Sequence, residues 1–230
     1  MLFPSPLLPA TLLRRYKRFL ADVRLEDGTE LTVHCPNSGS MLGCNAPGSP
    51  VMISRAANPK RKYAHTLEMV QVGETWVGVN TGLANGLVRE ALEAGLFPEV
   101  GNFESIQAEV KVGKSRLDFR LSGLAGDCYL EVKNCSLAEN GVALFPDAVT
   151  ERGTRHLREL LTLRQAGYPA VIVFCVQRCD AEVFTPAAAI DPLYAETLTE
   201  VVGGGVMALA CRALASPEAI TLDTRLPVTL

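Results

Sequence analysis

A small all-β barrel followed by a larger α/β domain is the architecture that the sequence predicts, and three observations predict it. Residues 17–80 break into short apolar-alternating segments separated by turn signals. From residue 83 onward, segments of helical period alternate with strand-like runs. One of those runs, "PAVIVFCVQ" (169–177), is continuously apolar, as a strand buried on both faces is. The boundary is placed near residue 82, dividing the chain into 1–82 and 83–230.

In the first part the expected strands are "KRFLADVRL", "ELTVHC", "PVMISRA", "AHTLEMVQVG" and "TWVGVN", punctuated by "EDGT", "NSGSMLG" and "NPKRK". Strands this short and this many fit a small closed barrel. The oligonucleotide-binding (OB) barrel is one architecture of that size, and the pattern does not separate it from other small barrels. In the second part, "LANGLVREALEAGLF" sets Leu87, Ala91 and Leu92 at helical spacing, and Pro98 ends the segment. The strands "IQAEVKVG", "SRLDFRL" and "CYLEVKN" follow. "TERGTRHLRELLTLRQAG" reads as a helix with Thr150 or Thr154 as cap and Gly167 as stop. A helix from "DPLYAETLTEVV" and a strand from "VMALACRAL" complete the order.

Composition bounds the function. The chain has 230 residues, 48% of them hydrophobic, enough for a sizeable core. A net charge of −3 excludes a uniformly basic nucleic-acid binder, but the charge is uneven. Residues 1–80 hold nine Lys/Arg against six Asp/Glu, and basic residues cluster in "RRYKR" (14–18) and "RAANPKRK" (55–62). Such clusters serve either as a local footprint for a polyanion or as a solvated surface. No apolar run reaches membrane-spanning length. The apolar N-terminus carries prolines and misplaced charges, which make a poor signal peptide. The seven cysteines show no CxxC pair, so they read as reduced thiols in a cytoplasmic protein. His34, Cys35, Cys44 and His65 match no usual zinc spacing.

The chemistry concentrates in "SRLDFRLSGLAGDCYLEVKNCSL" (115–137). Side chains alternate along a strand. Arg116, Asp118 and Arg120 therefore share one face, and so do Tyr129, Glu131 and Lys133 on the next strand. A hairpin would bring Asp118 near Glu131 and Lys133. Two close carboxylates repel, and a hard divalent cation such as Mg²⁺ or Mn²⁺ relieves the repulsion. Lys133 would then face developing phosphate charge. The same spacing also fits an exposed cross-strand salt bridge. The next segment, "FPDAVTERGTRHLREL", sets Arg152, Arg155 and His156 at a helix start suited to a phosphate, with His156 alternatively a capping or core residue. Asp147 fits a turn after Pro146.

Several stretches match a known family in order and over nearly the whole length: "RYKRFLADV", "CPNSGSM", "RKYAHTLE", "SRLDFRL", "YLEVKNCSL", "FPDAVTERGTRHL" and "FTPAAAIDPLY". The sequence resembles the sugar fermentation stimulation protein A family. That resemblance implies an N-terminal OB-fold barrel joined to a restriction-endonuclease-like mixed-sheet domain carrying the PD-(D/E)xK nuclease motif. By the resemblance Asp118 is the motif's first acid, preceded here by Leu117 instead of Pro, and Glu131 and Lys133 are its ExK half. Asp118 and Glu131 would hold Mg²⁺ or Mn²⁺. The fold usually adds an acid from its first helix; Glu90 is the candidate, with Glu93 and Glu109 as rivals.

The resemblance also implies DNA binding and a link to sugar, particularly maltose, metabolism. Expected contacts are Arg14, Arg15, Lys17 and Arg18, the loop residues Arg55, Lys60, Arg61, Lys62 and Tyr63, the Gly/Ser loop with Ser38 and Ser40, and Arg152 and His156. Trp76 is placed as a base-stacking or core residue. The expected partner is DNA, with RNA also a candidate. Two functions stand side by side: a metal-dependent nuclease, and a regulatory DNA-binding module that keeps the nuclease fold without cleaving.

Overall fold

The computed structural model describes residues 1–113 and 115–230. The barrel is built from β1 (Leu8–Tyr16), β2 (Leu20–Leu25), β3 (Glu30–His34), β4 (Pro50–Arg55), β5 (His65–Val72) and β6 (Thr75–Gly78), in the order β3-β2-β1-β4-β5-β6. A parallel contact between His34 and Thr66 closes β3 onto β5. Leu12, Val23, Val33, Val51, Ile53 and Leu67 fill its interior.

The expected first strand, 17–25, is two elements. Lys17 and Arg18 form the turn, at φ of 49° and 61°, and β2 begins only at Leu20. Before the turn runs β1, which the pattern did not reveal. Pro9 and a bulge between Leu12 and Arg14 break its alternation.

The second domain begins with α1 (Ala84–Glu93), which ends at Gly95 (φ 75°), three residues before the expected stop at Pro98. Then come β7 (Ser105–Val112), β8 (Ser115–Gly123), β9 (Gly126–Cys135), β10 (Leu137–Glu139), β11 (Val142–Phe145), α2 (Glu151–Gln165), β12 (Ala170–Val176), β13 (Val183–Pro186), α3 (Pro192–Gly203), β14 (Met207–Ala215) and β15 (Ile220–Leu226). The main mixed sheet runs β15-β14-β12-β9-β8-β7, and β10-β11-β13 form a small second sheet. Strands β10, β11, β13 and β15 lie outside the expected set: three are only three or four residues long, and β15, ITLDTRL, carries the alternation of a strand but was not assigned one.

β12 lies at the centre, parallel to both β9 and β14, and every residue in it is buried. Its Val171, Val173 and Cys175 face α1; Ile172, Phe174 and Val176 face α2 and α3. At ~25 cal/mol per Å² of apolar area this layer supplies much of the folding drive. Thr150 caps α2 by accepting the Gly153 N–H (3.1 Å), and Asp191 caps α3 by accepting the Tyr194 N–H (3.0 Å). Asp191 also accepts the Thr150 N–H (2.8 Å), so the starts of α2 and α3 share one buried carboxylate. All seven cysteines are unpaired thiols. Among the described residues no helix is long and apolar enough to cross a membrane.

Candidate functional site

β8 and β9 form the expected hairpin, with a ladder from Gly123↔Gly126 to Phe119↔Leu130. There it ends. Phe119 and Leu121 pack in the α1 core whereas Leu117 packs in the α2–α3 core, so β8 changes sides at Asp118. On the neighbouring strand the register passes over Glu109, which takes φ 56°. Where the ladder stops, the Asp118 side chain replaces it: the Val132 N–H donates to Asp118 Oδ2 at 2.7 Å. Simple alternation therefore described the two strands separately, and their parting is what brings the Asp118 carboxylate to the β9 backbone.

Glu131 and Lys133 extend from β9 toward α2. Lys133 Nζ donates to Glu131 Oε1, and His156 Nδ1 meets the same oxygen from α2. Arg152 Nε donates to His156 Nε2 at 3.4 Å, which leaves Nδ1 to carry the ring proton toward Glu131. Glu131 is only 3% exposed, and its second oxygen, Oε2, is buried with no hydrogen-bond partner among the described residues.

These surroundings separate the two acids. Burial, then the charge of Glu131, pushes the Asp118 carboxyl above its ordinary pKa, against the Val132 and Asn85 hydrogen bonds. Burial would also raise Glu131, but the His156 hydrogen bond and the Lys133 charge hold it below the usual value. An unpartnered buried carboxylate oxygen beside a second, partly buried acid fits a hard cation. The set is two carboxylates and not a closed cage. That suits Mg²⁺, which keeps waters and shares its shell with substrate phosphate. Asp118 and Glu131 are the residues that would hold it.

The other acids stay apart. Glu90 is half-exposed and pairs with the Met1 amine (2.7 Å), Glu93 pairs with Arg89 (3.0 Å), and Glu109 pairs with Arg116 (3.3 Å). What α1 gives the site is Asn85, whose Nδ2 donates to Asp118 Oδ1 at 2.8 Å. The sequence did carry a signal for it: Asn85 falls three and seven residues before Val88 and Leu92, a polar residue in the apolar stripe. His156, expected on the substrate backbone, is 2% exposed and committed to Glu131. Arg152 remains exposed beside it.

The expected barrel contacts divide in the same way. Arg15 donates to the carbonyls of Arg18, Asn37, Gly39 and Ser40 at 2.7–3.1 Å, so it shapes the Gly/Ser loop from within. Ser40 Oγ donates to the Asp147 carbonyl (2.6 Å), and the Met41 N–H donates to Asp147 Oδ2 (2.8 Å). Asp147 is thus one tie between the domains, which the turn reading missed. Arg14 pairs with Asp22 (2.8 Å) and lies over Tyr16. Arg61 donates to Thr66 Oγ1 (3.1 Å), Lys62 lies over Tyr63, and Lys17, Arg18, Ser38, Arg55 and Lys60 are exposed. Trp76, in β6, is partly buried against the core.

A cleft of about 360 Å³ opens between the 37–39 loop and the second domain, with Arg18, Ser38, Lys133, Phe145 and Val149 among its walls. It meets the acid pair at the Val132–Lys133 segment.

Comparison with known proteins follows the same two-part division. A family described as the SfsA N-terminal OB domain matches residues 13–79, and one described as the sugar fermentation stimulation protein RE domain matches 82–219. The chain belongs to the sugar fermentation stimulation protein (SfsA) family. A sugar fermentation stimulation protein homolog of Geobacter metallireducens is 55% identical over 232 residues, covering 100% of both chains. One from Geobacter sulfurreducens is 55% identical over 229 residues, covering 99% of this chain and 98% of that one. A solved structure, described as Pyrococcus furiosus SfsA in complex with Ca²⁺, superposes with a TM-score of 0.93 at 29% identity, over 100% of this chain and 98% of the other. The OB barrel followed by a mixed-sheet α/β domain is therefore an SfsA fold.

Proposed function

We propose that this SfsA-family chain is a DNA-binding protein whose second domain hydrolyses phosphodiester bonds with a divalent cation, Mg²⁺ or Mn²⁺. One observation carries the reading: a buried Glu131 beside a partly buried Asp118, in which Glu131 Oε2 has no partner among the described residues and Lys133 stands alongside. A purely binding surface gains nothing from two close carboxylates set against a polyanion. That a relative is described as a complex with Ca²⁺, another oxygen-seeking divalent ion, supports the same class of ligand.

When bound, the cation would polarise a phosphoryl oxygen and acidify a water. The residues of the chain do the rest. Asn85 and the Val132 N–H fix the Asp118 carboxylate, and His156 fixes Glu131 in its ionised form. Lys133, at the cleft wall, faces the place where charge grows on the phosphate. Arg152, exposed at the start of α2, is placed to steady the backbone of the strand. The basic loop with Arg55, Lys60, Arg61 and Lys62 supplies sequence-independent affinity through phosphates. A role in sugar metabolism is inferred from the name that the relatives carry.

The test is cleavage of labelled single-stranded, duplex and branched DNA and of RNA, with Mg²⁺, Mn²⁺ or EDTA. Cleavage that needs the metal and is lost in EDTA is the expected result. A protein inactive on every substrate with both metals sinks the enzyme reading and leaves a DNA-binding regulator.

A further inference from the structure

The cleft between the domains bears on which nucleic acid the site accepts. We infer that it receives one unpaired nucleotide of a single strand, and that duplex DNA is excluded unless it melts; the inference rests on the phosphodiesterase reading above and narrows its substrate.

The walls are pinned together. On one side Ser40 Oγ and the Met41 N–H, both on the barrel, bond Asp147 of the second domain at 2.6 and 2.8 Å. Gly39 packs so closely against the Asp147 carboxylate that a Cβ there would overlap it. Elsewhere on the same domain boundary the Gly78 N–H donates to the Gln177 carbonyl (2.8 Å), and Gln177 Nε2 donates to the Asn80 carbonyl (3.2 Å). The buried Cys44 thiol reaches the Ser136 carbonyl at 3.5 Å. Widening the cleft breaks several of these bonds at once, each worth about 1 kcal/mol net. The opening therefore stays near its 360 Å³, at the small end of pockets that hold a single small ligand.

The lining suits a nucleotide. Arg18 at the barrel side and Lys133 on β9 supply positive charge, and the Asp147 carboxylate, also in the lining, is already engaged by the Met41 N–H. Phe145, Pro146 and Val149 offer an apolar wall, and Ser38 and Ser136 stand among them as polar groups. A base in a duplex hides its faces in the stack and its edge in the pair, so a wall of this kind is useful only to an unpaired base. Because Lys133 lies in the wall, the phosphate of a nucleotide seated there lies next to the acid pair.

The experiment measures binding of a fluorescein-labelled 12-nucleotide single strand, the matching RNA strand and a blunt hairpin duplex to the full chain in EDTA, by anisotropy. The single strand is expected to bind about tenfold or more tighter than the duplex, from base stacking in the cleft. Equal binding of the RNA strand supports an unpaired nucleotide of either sugar. Val149→Glu, at a position 72% exposed, puts a negative charge at the cleft without disturbing the core, and is expected to erase the preference while duplex binding through the basic loop persists. Duplex binding as tight as the single strand, or a preference that survives Val149→Glu, overturns the inference. Absence of metal-dependent cleavage removes the proposed reaction but not this preference, since the binding assay contains no metal.

Discussion

His156 on α2 and Glu131 on β9 meet through Nδ1 and Oε1, both side chains almost wholly enclosed. This contact joins the helix to the sheet at Glu131, a buried charge on the sheet. Replacing His156 by Ala leaves Glu131 with Lys133 alone and a vacant donor position. A loss of about 1–3 kcal/mol in urea unfolding is expected, with partial recovery in His156→Gln. A stability equal to wild type would show that the contact contributes nothing.

Lys133 sits where it neutralises Glu131 in the resting protein and faces the cleft. Lys133→Ala is expected to lower single-turnover cleavage by about 10²-fold or more, the scale of one lost transition-state donor. Affinity for duplex DNA, which rests on the basic loop and not on the cleft, should remain nearly unchanged. A variant that cleaves normally removes Lys133 from the reaction.

Asn85 and Glu90 lie five residues apart on α1 but face different partners. Asn85→Ala frees one oxygen of Asp118 and is expected to weaken Mg²⁺ or Mn²⁺ binding about tenfold, as loss of an outer hydrogen bond to a metal ligand does. Glu90→Gln should leave metal affinity at the wild-type value. Isothermal titration of both variants checks the pair, and a Glu90 effect larger than that of Asn85 would reverse the assignment.

Glu68, buried in the barrel, accepts Ser54 Oγ (2.6 Å) and Asn80 Nδ2 (2.7 Å). Burial nevertheless holds its pKa above the ordinary carboxylate value. The folded protein then binds this proton more tightly than the unfolded chain. Its stabilisation is complete below the unfolded pKa and is lost as pH rises through the raised folded value. Relative to Glu68→Gln, wild type should lose Tm between acid and neutral pH. Parallel Tm profiles across that range would contradict this.

Arg15 is committed to four loop carbonyls, whereas Arg61 and Lys62 are exposed in their loop. Changing Arg61 and Lys62 together to Ala should weaken DNA binding and reduce the slope of log K against log salt by up to about 2. Arg15→Ala should instead lower thermal stability. Salt titrations and thermal melts on the same variants separate the two roles.

The amino-acid pattern carried the two-part architecture, the central apolar strand, the α2 helix with its Gly167 stop and a cap at Thr150 or Thr154, and the shared face of Glu131 and Lys133 on one strand. Those follow from local periodicity and from short-range rules of capping, which one segment carries alone. β1 escaped because Pro9 and a bulge hide its alternation, and β10, β11 and β13 are too short to show any. Tertiary structure alone decided that β8 parts from β9 at Asp118, that Asn85 and not Glu90 reaches it, that His156 turns inward to Glu131, and that Asp147 ties the barrel to the second domain. Each of these depends on groups 14 to 106 residues apart in the chain. Their meeting is fixed by which faces the core buries, and no local pattern records that choice.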